Sequence, residues 1–155
     1  MVATFVRVAA KSLALALGAA MIVVLGSSCH KSSTPEAEVR ALVEKAQHAA
    51  EARKAGELKD LLSVDFRDAQ GNTPAEILQY LRGYFVLNQS VRLVTRIDSL
   101  EFPASDTANL TVGVASATQA NGESGLSGLG ANFRTFELVL VREGSDWKVR
   151  YAKWQ

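Results

Sequence analysis

The sequence predicts an α+β fold: three N-terminal helices packed against a mostly antiparallel sheet. Three observations carry this. Apolar residues recur at helical spacing as far as Phe85, and the period then changes to two after Asn88. Two helix-start signatures, each combining a hydroxyl, a proline and a glutamate, stand ahead of helical stretches. A run of helices followed by a run of strands is the order of a segregated α+β domain.

The first helix starts at Ser33-Thr34-Pro35-Glu36, with a hydroxyl cap, proline in the first turn and Glu36 at capping-box distance from Ser33. Val39, Leu42, Val43, Ala46 and Ala50 form its apolar face, and Gly56 ends or kinks it. A short second helix fits Glu57–Leu62, and the stretch from Val64 to Asn72 reads as a turn punctuated by Gly71-Asn72. Thr73, Pro74 and Glu76 open the third helix as a capping box, with Ile77, Leu78, Leu81, Tyr84 and Phe85 on one face.

Val91, Leu93 and Ile97 then alternate with Arg92, Arg96 and Asp98. Leu100 and Phe102 take the other parity, which predicts a bulge near Ser99. Leu110, Val112 and Val114 mark a second strand, Phe133–Val141 a third, and Trp147, Val149 and Tyr151 a last one after the turn Arg142–Asp146. The third strand is apolar on both faces, so the domain is expected to form a homodimer through the sheet. The Gly-rich stretch Asn121–Asn132 lacks a Lys-Ser/Thr ending and a strand-to-helix setting, so it is not a phosphate loop; it reads as a long connection, with a pocket lid as the alternative.

Ahead of the domain, Met1–Ser28 has no acidic residue and only Arg7 and Lys11 as charges. Leu13–Leu25 is uncharged and apolar, and the small residues Gly26, Ser27 and Ser28 follow. That is the order of a signal peptide, and it is short for a membrane span of about 20 residues. The next residue, Cys29, is the only cysteine in the chain. Leu25–Cys29 resembles the bacterial lipobox, with Gly26 where leucine is commonest. The resemblance implies cleavage after Ser28, lipid on Cys29, and a tether over residues 29–34 that joins the membrane to a domain over residues 35–155. His30, not Asp, follows the cysteine, which under the enterobacterial sorting rule points to the outer membrane. The expected location is thus the cell envelope, facing the periplasm.

Removing residues 1–28 takes Arg7 and Lys11, so 17 basic residues become 15 against 16 acidic ones, net −1. With no basic excess, nucleic acid is not an expected partner. A metal site is not expected either, since the chain has one lipidated cysteine and two histidines, His30 in the tether and His48 off the apolar helix face. No cofactor motif is present.

The segments Ala49–Asp68, Thr73–Phe85 and Phe136–Trp154, the last with its acidic-Gly turn before Trp147-Lys148-Val149, resemble the nuclear-transport-factor-2-like superfamily, also called SnoaL-like or cystatin-like cones. The resemblance covers about Pro35 to Trp154. It implies that the curved sheet wraps the helices and leaves a conical cavity. The face of Ile77, Leu81 and Tyr84 is then expected to look across at Val112, Val114 and Trp147, with small residues at Ala115 and Ser116 leaving room. Tyr84, Arg67 and Trp147 are the candidate ligand-binding residues, Arg67 supplying a charge near the mouth. Superfamily enzymes commonly use Asp or His as acid or base; the ketosteroid-isomerase type of site uses an Asp base with a Tyr donor, and Asp65 with Tyr84 is the corresponding candidate catalytic pair. Fold does not carry function. The reading favoured by the residues is a non-catalytic cone that binds a small apolar ligand or a protein partner. The alternatives are an isomerase- or cyclase-type enzyme and an accessory subunit of an envelope complex.

Overall fold

In the computed structural model, residues 33–122 and 129–155 are described, and the elements run α1 (Pro35–Glu51), α2 (Ala55–Lys59), β1 (Leu62–Asp68), α3 (Pro74–Leu87), β2 (Asn88–Ala104), β3 (Thr107–Ala120), β4 (Leu129–Glu143) and β5 (Asp146–Trp154). The strands form one sheet in the order β1-β5-β4-β3-β2. β1 pairs parallel with β5, and the other pairings are antiparallel.

Helix starts follow the sequence closely. Thr73 accepts from the Glu76 N–H while Glu76 Oε2 accepts from the Thr73 N–H at 2.7 Å, a complete capping box with Pro74 behind it. At α1 the cap is Thr34, which accepts from the Ala37 N–H at 3.2 Å, and not Ser33. Ser33 instead donates to Glu38 Oε1 at 2.7 Å. α1 stops before Gly56. Lys54 N–H donates to Ala49 O at 2.8 Å and Arg53 N–H to Ala50 O at 3.0 Å, a Schellman closure with Arg53 at φ 57°. Arg53 fills a position that usually takes glycine, and its guanidinium reaches the carbonyls of Phe85 and Asn88. It thereby joins the end of α1 to the end of α3.

The segment read as a turn after α2 is largely the strand β1. Its buried residues are Ser63, Phe66 and Asp68, two of them polar, and its register shifts between Leu62 and Arg67. Leu62, Val64 and Phe66 do alternate with polar residues there, but the shift changes the parity, so Val64 is exposed while Ser63 and Phe66 are both buried. The second helix is correspondingly short. β4 begins at Leu129, earlier than Phe133, because its pairing with β3 runs from Thr107↔Val141 out to Gln119↔Leu129. The bulge near Ser99 is present between Ile97 and Ser99.

The sheet curls strongly. Strands lie about 4.8 Å apart, so β2 and β5, three steps apart, would be separated by roughly 14 Å in a flat sheet. Yet Phe102 of β2 meets Trp147 of β5 at 5.9 Å between ring centroids. That contact closes the narrow end of a cone. Val39, Ala108, Leu110, Val112, Leu140 and Trp147 form the core beneath it. A second cluster of Ala55, Phe85 and Val91 holds α2 and α3 to the sheet. Both clusters and every strand pairing lie within Ser32–Gln155, a compact unit that carries its own core.

Candidate functional site: an apolar chamber and its polar vestibule

Strand alternation decides which side chains face the helices. On β3 the inward series is Leu110, Val112, Val114 and Ser116, and on β4 it is Arg134, Phe136, Leu138 and Leu140. α1 lays Leu42, Val43, Ala46 and Ala50 against this surface, and α3 adds Ile77 and Leu81. The elements do not fill the space between them. They leave a chamber of about 310 Å³, within the usual size of a small-molecule site.

Among the described residues lining the chamber, only Gln47 and Thr95 are polar, and none carries an ionisable side chain. The two polar groups serve each other. Thr95 Oγ1 donates to Gln47 Oε1 at 2.8 Å, and Gln47 Nε2 donates to Leu93 O at 3.1 Å. One turn along α1, Glu51 Oε1 accepts from the Leu93 N–H at 2.9 Å. β2 is an edge strand, so the backbone of Leu93 would otherwise lack partners on that side. Helix α1 thus ties down the sheet edge where it borders the chamber.

A second space of about 500 Å³ adjoins the first across Ala50, Leu81, Leu93, Val114 and Phe136. Its lining is mixed, with Tyr80 and Tyr84 from α3, Ser116 and Thr118 from β3, and Asn132 and Arg134 from β4. Tyr80 and Tyr84 stack at 6.4 Å, and Tyr84 also meets Phe85 edge-on at 5.8 Å. This vestibule contains a cation and no acidic side chain among its described lining residues.

The carboxylates nearest the chamber are already engaged. Asp68 is buried and borders the opening on the β1 side of α3, along with Glu76. Burial pushes the Asp68 carboxyl up, but hydrogen bonds from the Asn72 side chain and from the Asn72, Gln70 and Gly71 backbone outweigh that and hold it below the usual range. Asp68 Oδ1 accepts from Gln70 N–H at 2.9 Å and Asn72 N–H at 2.8 Å, and Oδ2 from Asn72 Nδ2 at 2.7 Å. Glu76 is lowered by the Thr73 backbone and hydroxyl hydrogen bonds of its capping box. Among the described residues, no three His, Cys, Asp or Glu side chains are grouped so as to hold a metal ion.

The structure separates the residues that the sequence put forward. Tyr84 stands in the vestibule as expected. Asp65 is exposed on β1 and lines neither the chamber nor the vestibule, so the Asp65–Tyr84 pair is not assembled at one site. Arg67 is also exposed on β1, between the buried Phe66 and Asp68, and its guanidinium turns back to the Phe66 carbonyl. Alternation along the strand puts it on the wrong side. Trp147 is 4% exposed and belongs to the narrow-end core, away from the chamber lining. Its indole donates to Glu38 Oε2, and Arg142 lies over its ring at 4.7 Å. Ile77 and Leu81 do face Val112 and Val114, and Ser116 points inward where Ala115 points out. Arg134 was missed. Its signal is parity: it stands two and four residues before Phe136 and Leu138 on the inward series of β4. Cys29 lies outside the described residues.

No protein-family model and no curated protein matches the chain. Solved structures do. A scytalone dehydratase-like protein from Novosphingobium aromaticivorans superposes with a TM-score of 0.68 at 14% identity, over 76% of this chain and 80% of its own. The hexachlorocyclohexane dehydrochlorinase LinA-type3 from Novosphingobium barchaimii gives 0.64 at 14% identity, over 77% and 84%. A ketosteroid isomerase-like protein from Erwinia carotovora atroseptica gives 0.61 at 10% identity, over 76% and 92%. The chain therefore has the nuclear-transport-factor-2-like cone fold.

Proposed function

We propose that this chain is a lipid-anchored cell-envelope protein whose cone is a binding chamber for a small apolar molecule. The observation that carries the reading is the chamber of about 310 Å³, whose only polar groups among the described lining residues, Gln47 and Thr95, are hydrogen-bonded to each other. Such a lining offers an apolar body a place out of water and offers no group that would hold or move a proton. The anchor rests on the lipobox-like Leu25–Cys29 after an apolar stretch.

The test uses the Ser32–Gln155 domain and the neutral probe N-phenyl-1-naphthylamine, whose fluorescence rises in apolar surroundings. The wild type should bind it. Ser116→Trp, which projects into the vestibule, should weaken binding several-fold, while the outward Ala115→Trp should not. No binding by the wild type would overturn the chamber reading.

A second reading, an isomerase- or dehydratase-type enzyme, is favoured by the company of the fold: the similar structures include a dehydratase-like protein, a dehydrochlorinase and an isomerase-like protein. For this reading Tyr84 would be the donor, and the base would have to be a group other than Asp65. Deuterium exchange α to the carbonyl of a ketosteroid, abolished by Tyr84→Phe, would establish it. Exchange no faster than in buffer would dismiss it for that substrate class.

A further inference from the structure

We propose that the vestibule takes the anionic end of an amphiphile whose apolar body lies in the chamber, and that Arg134 selects that charge. The inference rests on the binding reading above and names its ligand class. Arg134 is placed by register. It pairs with Val114 across the β3–β4 ladder, and the next inward pair toward the mouth is Ser116 with Asn132. It therefore sits on the concave face one inward step from Phe136, which lines the chamber itself.

Arg134 stands on the concave face but is exposed, so it needs no carboxylate partner to stay charged. The described lining of the vestibule contains no Asp or Glu, and Arg134 makes no ion pair among the described residues. Two other basic side chains near apolar surface have partners: Arg142 pairs with Glu38, and Arg53 donates to the Phe85 and Asn88 carbonyls. Arg134 is thus an exposed guanidinium with no ion-pair partner among the described residues, beside an apolar cavity. Its planar fork suits a carboxylate or a similar oxyanion. The hydroxyls of Ser116 and Thr118 and the Asn132 amide stand around the same space and suit the remaining oxygens. The complementary ligand has one negative head and an apolar body.

The experiment compares probes that differ only in the head. Binding of decanoate and decan-1-ol, and of 2-naphthoate and 2-naphthylmethanol, is measured on the Ser32–Gln155 domain by displacement of N-phenyl-1-naphthylamine. Within at least one pair the acid should bind about tenfold tighter than the alcohol, equal to about 1.4 kcal/mol. The preference should shrink as salt is added, because Arg134 is exposed enough to be screened. Arg134→Gln should remove the preference by weakening acid binding far more than alcohol binding, and Arg134→Lys should keep part of it. Equal binding of acid and alcohol by the wild type overturns the proposal, as does a preference that survives Arg134→Gln, and in both cases the chamber reading stands. If no probe of either pair binds, the chamber reading falls and this proposal falls with it.

Discussion

The Trp147 indole N–H donates to Glu38 Oε2 at 3.0 Å, linking the start of β5 to the first turn of α1. Arg142 donates to the same oxygen and covers the indole face, while Phe102 meets the indole at a tilt from the far strand of the sheet. One carboxylate and one indole therefore close the narrow end of the cone. Trp147→Phe should keep the ring contacts, lose the hydrogen bond and be the milder of two substitutions. Trp147→Ala should cost about 3–5 kcal/mol. Urea unfolding of the two variants checks the ordering. Equal costs would mean that the indole does not close the cone as described.

Stability should fall in acid through three carboxylates, Glu76 in its capping box with Glu38 and Asp68. Glu38 is held below its ordinary pKa by hydrogen bonds from Ser33 and then Arg142, and Asp68 by its Asn72, Gln70 and Gly71 donors against the push of burial. A lowered folded-state pKa gives stability that is fully present above the unfolded value and is lost as pH falls through the folded one. The melting temperature should thus be flat above about pH 5 and drop below roughly pH 4. Glu38→Gln and Asp68→Asn should each flatten that drop.

The Gln47–Thr95 pair predicts a non-additive cycle. Gln47→Leu leaves the Thr95 hydroxyl and the Leu93 carbonyl without their partner beside an apolar chamber, at a cost of about 1–3 kcal/mol. Adding Thr95→Val removes one of the stranded groups. The double variant should therefore be more stable than Gln47→Leu alone. Chemical denaturation of the four proteins measures it.

The outer face of the sheet carries an apolar row across three strands, with Val94 paired to Ala115 and Ala115 to Phe133. Val94 is 70% and Phe133 60% exposed, and the Phe133 ring lies close over Gly113, where an added Cβ would meet its Cζ at 3.2 Å. We propose that two copies associate through this row. Sedimentation of Ser32–Gln155 at tens of micromolar, about the range in which a weak dimer forms, should show a dimer, and Phe133→Glu should give a monomer. A wild-type monomer at that concentration would count against the interface.

Lipidation is proposed at Cys29. Cys29→Ala should abolish incorporation of labelled fatty acid and leave the precursor unprocessed. Incorporation that persists in the variant would rule out the lipobox reading.

The elements legible in the sequence are those whose signals are local. Thr73-Pro74-x-Glu76 set the start of α3, because a capping box is closed within one helical turn. The switch of period after Asn88 set the sheet, and the parity change near Ser99 set its bulge. Ile77 and Leu81 on one helix face, and Val112 and Val114 on one strand face, already identified two walls of the chamber. Only the tertiary structure decided what cannot be written in one segment. β1 is a strand because β5 offers it a parallel partner, and its buried Ser63 and Asp68 are satisfied by neighbours rather than by apolar pattern. Trp147 was assigned to the core and Arg134 to the vestibule by the curl of the sheet, which brings β2 against β5 at one end and leaves β4 facing open space at the other. Alternation tells which residues share a face, but which face is concave, and how far along it the filling stops, depends on packing between segments far apart in the chain.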